Sequence, residues 1–222
     1  MTDALTEFAG PRQGLMFILS SPSGAGKSSI SRKLLSTDDA LTFSVSATTR
    51  PKRLLEIDGK DYHFVSRERF QRMIDEGEML EYAEVFGNYY GTPLAPVEAA
   101  ISEGRDMLFD IDWQGGAQIR NSTLQHAVVS VFLLPPSMAE LEGRLRGRAQ
   151  DSNEVVDRRM REALDEISHW QSYDYVLVNR DLEACVEEVR AILDVERLKR
   201  KRRPGLVNMV RSLNKETQGQ NA

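Results

Sequence analysis

The chain has 222 residues, a formal net charge of −5 and 41% apolar residues. This length accommodates one α/β domain with its own core, and the ordinary balance of apolar and charged residues excludes a largely disordered chain. A dedicated nucleic-acid binder would be basic, so we expect no specific nucleic-acid binding, and local clusters must hold any phosphate. No apolar run approaches the roughly 20 residues that cross a bilayer, which argues against a membrane protein.

The cysteine content and the N-terminal sequence favour a cytoplasmic location. Residues 1–11 carry acids instead of a basic start followed by an apolar stretch, which predicts no secretory signal. The chain has one cysteine, Cys185, which cannot form an internal disulfide and so fits a reducing compartment. Cys185 lies on an apolar helix stripe, where we expect an inert thiol. Nothing in the sequence indicates an oligomeric state.

Short apolar runs alternate with helical spacing along most of the chain. Strands are predicted at 15–19, 41–45, 62–65, 79–86, 105–111, 127–134 and 175–178. Helices are predicted from the first glycine-rich loop to residue 35 and at 67–76, 96–103, 138–148, 154–170 and 182–200. This alternation predicts an α/β fold, a parallel sheet flanked by helices on both faces. We expect Trp170 and Tyr173 to pack in the core.

The stretch 46–94 interrupts this alternation. Its short strands and its many aromatic residues predict a small inserted lobe. The domain is therefore expected to cover 14–195, with a core at 14–45 and 95–195, a lobe at about 46–94, and a basic and polar tail at 196–222. The basic run at 199–203 is either a charged helix end or a contact for RNA or an acidic partner.

The strongest motif is a glycine-rich loop between a strand and a helix. It reads Ser21-Pro22-Ser23-Gly24-Ala25-Gly26-Lys27-Ser28 and matches the P-loop pattern G-x-x-x-x-G-K-[ST] except at Ser21. In such loops backbone N–H groups at a helix N-terminus hold phosphates, the lysine reaches the β- and γ-phosphates, and the following hydroxyl reaches Mg²⁺. This loop, with Ser29 after it, is predicted to bind ATP.

A P-loop does not by itself distinguish a GTPase, an ATPase and a kinase. Asp112-Trp113-Gln114-Gly115 fits the D-x-x-G pattern of GTPases, but Asn214-Lys215 continues as Glu216-Thr217 and not as N-K-x-D. The GTPase interpretation therefore fails. Asp110 ends a buried strand, which is the usual position of an acid near Mg²⁺, so Ser28 and Asp110 are the candidate metal residues. The alternative for Asp110 is a helix cap.

Arg50 and Arg53 lie three residues apart in a segment that reads Ser46-Ala47-Thr48-Thr49-Arg50-Pro51-Lys52-Arg53. Pro51 disfavours a continuous helix here. Guanidinium groups bind phosphate bidentately and keep their charge, so a phosphate site is one interpretation. A solvated basic loop is an equal alternative for this segment alone.

Further motifs follow in a fixed order. They are Asp58-Gly59-Lys60-Asp61-Tyr62-His63-Phe64, Glu81-Tyr82-Ala83-Glu84-Val85, Gly87-Asn88-Tyr89-Tyr90-Gly91-Thr92 and Asp110-Ile111-Asp112-Trp113-Gln114-Gly115. Together with the P-loop, they resemble the guanylate kinase family over about residues 15–192. The resemblance implies a P-loop core with an inserted GMP-binding lobe and a short lid. It also implies transfer of a phosphoryl group from ATP to GMP with Mg²⁺, in purine nucleotide metabolism and GMP recycling.

The resemblance also implies roles for individual residues. The positions that match those holding the GMP phosphate are Arg50, Arg53, Tyr62 and Tyr90, and those around guanine are Ser46, Glu81, Thr92 and Asp112. Guanine carries N1–H and N2–H donors that suit a carboxylate, whereas adenine lacks this pair. Leu55 replaces a glycine that is usual in the family, so the loop after Arg53 is expected to follow a different path.

The resemblance implies a lid at about 141–160. Lys27 in the P-loop, with Arg144, Arg148 and Arg159 in the lid, matches the catalytic positions, since cations stabilise the charge of phosphoryl transfer. Arg148 and Asn179 match contacts on the adenine side of ATP. Arg146 and Arg158 are expected to be solvated. Ala149 and Arg180 depart from the family pattern.

Two rival functions remain from the sequence. One is a non-catalytic guanylate-kinase-like interaction domain, which typically lacks a working P-loop and lid arginines, whereas this chain has Lys27, Arg148 and Arg159. The other is a kinase for a different nucleoside monophosphate, against which Glu81 and Asp112 argue. The three histidines, His63, His126 and His169, show no ligand spacing and are expected to be structural.

Overall fold

The computed structural model describes residues 12–85, 87–147 and 153–219. The strands are β1 Met16–Ser20, β2 Leu41–Phe43, β3 Ala47–Thr48, β4 His63–Phe64, β5 Met79–Val85, β6 Asn88–Pro93, β7 Asp106–Asp110, β8 Val128–Leu134 and β9 Tyr175–Val178. The α-helices are α1 Lys27–Thr37, α2 Arg67–Asp75, α3 Leu94–Ser102, α4 Trp113–Arg120, α5 Met138–Gly147, α6 Asn153–Ser168, α7 Leu182–Leu198 and α8 Leu206–Gly219. No helix within these described ranges is long and apolar enough to cross a membrane.

The central sheet has the order β2-β7-β1-β8-β9, and its strand pairs are parallel. Strand β1 lies in the middle and is fully buried. Its residues alternate between the two faces, so Phe17 packs with α1 and α7 while Ile18 packs with α3 and α4. The predicted α/β fold with helices on both faces is confirmed. Cys185 is buried in the same apolar cluster as Phe17, as expected for an inert thiol.

The interrupting stretch forms a second sheet with the order β4-β3-β6-β5. Antiparallel pairs join β3 to β6 and β5 to β6, and a register shift lies between Met79 and Glu81. Helix α2 covers this sheet by packing Phe70 and Met73 against Ala47. The stretch 46–94, called the lobe below, thus contains a second and smaller sheet, and the sequence pattern had not indicated two of its strands, β3 and β6.

Helices α5 and α6 form a pair beside the P-loop. They pack through Leu141, Leu145, Val156 and Ala163. Arg146 pairs with Glu142, and Arg158 with Glu162, at exposed positions one helical turn apart. Both arginines are thus solvated, as predicted, and such exposed pairs add little stability.

The structure corrects two expectations, one about the packing of Trp170 and one about the end of the last predicted helix. Trp170 lies in a short 3₁₀ helix with 43% of its surface exposed, so it does not pack in the core, whereas Tyr173 is buried against Phe132. The last predicted helix ends at Leu198 and not at residue 200, and the basic run continues as a 3₁₀ turn. Arg202 in that run is only 2% exposed and pairs with the buried Glu196.

Candidate functional site

The P-loop is held by contacts from the core as well as by its own glycines. Gly24 and Gly26 have φ values of 93° and 101°, which L side chains rarely adopt. The side-chain amide of Asn179 donates a 2.7 Å hydrogen bond to the Ala25 carbonyl. A β-carbon at Gly26 would stand 2.3 Å from the same amide nitrogen, so glycine is needed for this close approach. The glycines and Asn179 therefore determine the shape of the loop.

Lys27 connects the P-loop to the end of β7. Its Nζ lies 2.6 Å from Oδ1 of Asp110, and the parallel register places Asp110 beside Leu19 at the end of β1. The structure assigns the helix-cap role to Asp112, whose Oδ1 accepts a 2.9 Å hydrogen bond from the Gly115 N–H. Asp110 is thus left to face Lys27.

The chemistry of the donors near Lys27 fits a magnesium ion. Ser28 is exposed in the first turn of α1, and Asp110 ends the neighbouring strand, so a hydroxyl and a carboxylate are available. Mg²⁺ prefers such oxygen ligands and completes its shell with water and substrate phosphates. Within the described part of the chain, no group of three or more His, Cys, Asp or Glu side chains could hold a metal by itself. A site that is completed by phosphate oxygens is consistent with this arrangement.

Two adjoining cavities, each of about 230 Å³, lie between the lobe and the central sheet. Both are lined by Ser46, Tyr62, Asp110 and Ile111. The first also includes Glu81, Tyr90 and Asp112, and the second includes Thr92. Most of the residues predicted to contact GMP therefore line these cavities. Asp110, which pairs with Lys27 of the P-loop, lines them too.

Glu81 is the buried carboxylate of this cavity, with 6% of its surface exposed. Its Oε1 accepts a 2.7 Å hydrogen bond from the Thr92 hydroxyl. Burial raises the pKa of Glu81 to about 7, with a smaller upward contribution from Asp112 that the Thr92 hydrogen bond opposes. The free pocket therefore holds a carboxyl group that titrates near neutral pH.

Arg50 is already paired with a carboxylate. Its Nη2 and Nη1 donate to Oε1 and Oε2 of Glu56 at 2.7 and 3.0 Å, which raises the pKa of Arg50 above its usual value. The guanidinium carbon lies 5.5 Å from the centre of the Tyr62 ring, which in turn contacts Tyr90 edge-on at 6.0 Å. This arrangement places Arg50 beside two phenols of the cavity wall.

Glu56 also organises the loop that follows Arg50. It accepts a 2.8 Å hydrogen bond from the Arg53 backbone N–H, while the Arg53 side chain is exposed. Leu55 is 90% exposed, so the side chain that replaces the family's glycine lies in solvent and does not block the cavity. No motif in the sequence singled out Glu56, although its position three residues after Arg53 was a usable signal.

The lid residues are described in part. Arg144 donates to the Asn179 carbonyl at 3.2 Å and to Glu140 at 2.5 Å, so it lies beside the residue that supports the P-loop. Arg159 is half-buried on α6. Arg148 and most of the expected hinge, at 149–152, lie outside the described residues. The adenine contacts proposed for Arg148 and Asn179 stay predictions.

Two further residues belong to the site and were missed by sequence reasoning. The Gln118 amide bonds both the N–H and the carbonyl of Tyr82, at 3.0 and 2.8 Å, and so fixes α4 to strand β5. Glu166, on α6, lines a cavity of about 210 Å³ together with Lys27 and Ser28. Neither residue belongs to a recognisable motif, because each acts through a contact between distant segments.

Known proteins resemble this chain over most of its length. A model of the guanylate kinase family matches residues 13–196. The chain belongs to the guanylate kinase family. The guanylate kinase of Cereibacter sphaeroides is 60% identical over 205 residues, which cover 92% of this chain and 97% of that protein. The guanylate kinase of Bradyrhizobium diazoefficiens is 57% identical over 208 residues, or 94% of each chain.

A solved structure of the family supports the fold. The crystal structure of guanylate kinase from Anaplasma phagocytophilum superposes with a TM-score of 0.72 at 41% sequence identity. The match covers 90% of this chain and 95% of that chain. The predicted P-loop NTPase architecture is therefore confirmed for this member of the guanylate kinase family.

Proposed function

We propose that this enzyme of the guanylate kinase family converts ATP and GMP to ADP and GDP across the two sites described above. The donor ATP binds at the P-loop, and GMP binds in the cavities between the lobe and the sheet. The observation that carries this assignment is the position of Asp110, which lines both acceptor cavities and lies 2.6 Å from Lys27. The two substrates would therefore meet at the Lys27–Asp110 pair.

Glu81 is the proposed reader of guanine. Its carboxylate is buried beside Thr92 and Asp112, and an ionised form there needs donors to offset the cost of desolvation. Guanine N1–H and N2–H supply two such donors. Adenine offers no such pair, so AMP would leave the carboxylate unpaired. The hydroxyls of Ser46 and Thr92 complete the polar wall on the guanine side.

The GMP phosphate is proposed to bind Arg50, Arg53, Tyr62 and Tyr90. Arg50 lies against the Tyr62 ring, and Glu56 holds its guanidinium in place before the substrate arrives. Arginine suits this role because its planar fork matches phosphate oxygens. Arg53 is exposed, so its side chain is accessible to a phosphate group at the cavity.

The chemistry proposed is an in-line transfer of the γ-phosphoryl group to an oxygen of the GMP phosphate. That oxygen is already anionic near neutral pH, so the chain need not supply a general base. Lys27 and the lid arginines Arg144, Arg148 and Arg159 would stabilise charge on the moving group. Ser28 and Asp110 would hold Mg²⁺, which when bound neutralises and orients the β- and γ-phosphates. Closure of lobe and lid would exclude water.

The two rival functions are less consistent with the structure. A non-catalytic interaction domain does not need an ordered P-loop. In this chain Asn179 hydrogen-bonds to the loop, and Lys27 of the loop pairs with Asp110. A kinase for another monophosphate has no use for a buried carboxylate at Glu81. A cytoplasmic location and an absence of specific nucleic-acid binding remain our proposals from the single cysteine and the net charge of −5.

A coupled assay of ADP release with GMP, AMP, UMP and CMP tests the acceptor assignment. We expect strong preference for GMP in the wild-type enzyme. Arg50→Lys should raise the GMP KM by about tenfold or more while the ATP KM stays within about twofold, because lysine keeps the charge but loses the bidentate contact. A variant that raised the ATP KM instead would place Arg50 in the donor site and contradict the assignment.

A further inference from the structure

Glu166 is a carboxylate in a cavity that the proposed chemistry reserves for phosphate. The other residues that line this cavity all belong to the P-loop and include Ser23, Lys27 and Ser28. Glu166 lies on α6, two residues before that helix ends at Ser168, so a segment distant in sequence contributes it to the cavity. A negative group is thus presented to a loop whose backbone N–H groups and lysine are suited to anions.

The bonding of Glu166 is incomplete. Its Oε2 is buried and has no hydrogen-bond partner among the residues that the structure describes. Lys27, which faces the same cavity, is paired with Asp110 at 2.6 Å. Burial raises the pKa of Glu166, while the charge of Lys27 and the N–H of Ser23 oppose that rise. A buried carboxylate oxygen without a partner is costly, so water or a better-matched anion readily replaces this contact.

We propose that the Glu166 carboxylate competes with the phosphates of ATP for the P-loop, and that ATP must displace it to load the donor site. The carboxylate carries one negative charge and leaves one oxygen unpaired, whereas a triphosphate offers several oxygens to the same loop. ATP therefore wins the exchange, and the displaced carboxylate returns to water. This inference rests on the proposed donor site at the P-loop and adds a competing group to it.

The test compares Glu166→Gln with the wild-type enzyme by isothermal titration calorimetry, without Mg²⁺ and without GMP. Glutamine keeps the shape of the side chain and removes its charge. We expect ATP to bind three- to tenfold more tightly to the variant, and inorganic tripolyphosphate to show the same gain because the competition is for phosphate alone. The gain should shrink in high salt, which screens charge repulsion.

Glu162→Gln is the matched control. Glu162 lies one turn earlier on α6, is exposed, and pairs with Arg158 at 3.7 Å. Its removal should change the ATP dissociation constant by less than twofold. If Glu166→Gln unfolds, Glu166→Asp serves instead, because a carboxylate one methylene shorter reaches less far into the cavity and should also tighten ATP binding.

Unchanged or weaker ATP binding by a folded Glu166→Gln enzyme overturns the proposal. So does a loss of affinity that appears only when Mg²⁺ is added, since the carboxylate would then serve the metal. Lys27→Ala separates this inference from the proposed donor site. If Lys27→Ala leaves ATP binding unchanged, the donor site itself is misplaced; if it weakens ATP binding while Glu166→Gln has no effect, only the inference about Glu166 fails.

Discussion

Oε2 of Glu81 lies 2.9 Å from the position that a β-carbon would take on Gly115. This separation is shorter than real β-carbon contacts allow, so any side chain at Gly115 would displace the carboxylate. The same glycine donates its backbone N–H to Asp112 and begins the packing of α4. Gly115, on helix α4 of the core, therefore determines how far the Glu81 carboxylate of the lobe reaches into the cavity.

Gly115→Ala should raise the GMP KM by about tenfold while the ATP KM changes by less than about twofold. The added methyl group forces Glu81 out of its position, and loss of a charge-assisted hydrogen bond to guanine costs roughly 1.5–3 kcal/mol. Gly143→Ala is the control, because a β-carbon there meets no atom within 4 Å. Steady-state kinetics on both variants decide the point, and equal GMP KM values for the two would refute it.

Glu81→Gln should raise the GMP KM by about ten- to a hundredfold. Glutamine keeps the shape and an acceptor for Thr92, but it replaces one acceptor for guanine by a donor, and the lost interaction is worth roughly 1.5–3 kcal/mol. Discrimination of GMP over AMP should shrink by a similar factor, with ATP affinity nearly unchanged. Kinetics with both acceptors measure this ratio. If Glu81→Gln discriminated GMP from AMP as well as the wild type does, Ser46 or Asp112 would be the residue that recognises guanine.

GMP affinity should fall as the pH drops below about 7. The pKa of Glu81 in the free enzyme is raised to about 7 by burial, and guanine binds the ionised form, so GMP binding must release a proton at lower pH. The expected loss approaches tenfold per pH unit well below 7. The GMP phosphate also titrates, at about pH 6. The GMP phosphate titrates in assays of both enzymes, but Glu81→Gln lacks the carboxyl group. GMP affinity should therefore fall more steeply with falling pH in the wild type. Parallel curves of GMP affinity against pH would exclude Glu81 as the titrating group.

Lys27→Ala should lower turnover by on the order of 10²-fold or more, because the lysine charge follows the phosphoryl group during transfer. GMP binding should change by less than about twofold, since the GMP cavities are lined mainly by residues of the lobe and the sheet. Single-turnover kinetics and GMP titration separate the two effects. Normal turnover in the folded variant would mean that another cation does this work.

Truncation after Arg203 should leave GMP kinase activity within about threefold of the full chain, less than about 1 kcal/mol of transition-state energy. The removed helix α8 has exposed apolar residues. The shortened chain keeps Arg202, whose side chain pairs with Glu196. The Arg202 carbonyl also accepts a 2.7 Å hydrogen bond from the Gln13 N–H. Arg202→Ala in the full chain is the contrasting variant, and it should lower the free energy of unfolding by roughly 1–3 kcal/mol. A hundredfold loss of activity in a folded truncation would contradict this.

The sequence was sufficient for features that depend on local patterns. Strand β1 is a continuous apolar run, and the glycines of the P-loop follow it directly, so a buried parallel strand leading to a phosphate loop could be predicted. The lobe was recognised because its aromatic residues and short strands break the alternation of the core. Met79 and Leu80 precede Glu81, and this apolar pair predicts that Glu81 lies against a partly buried wall.

Features that depend on contacts between distant segments could not be predicted. Arg202 reads as a solvated cation, and it is buried because Glu196 and the carbonyl of Ala127 lie against it. Trp170 reads as a core residue, but the chain turns at the end of α6 and leaves its ring in solvent. Glu166 follows the polar spacing of a surface helix, and only the packing of α6 beside the P-loop turns it into a cavity residue.

The order of the central sheet has a consequence for how the chain folds. Strand β1 is synthesised before both of its neighbours, because Met16 pairs with Met107 of β7 and with Val128 of β8. The whole lobe is synthesised between β2 and β7. Until β7, which ends at Asp110, has been synthesised, β1 is therefore an unpaired apolar strand, and such long-range parallel pairings form slowly. Aggregation during folding should start from the segment Met16–Ser20 before β7 has emerged.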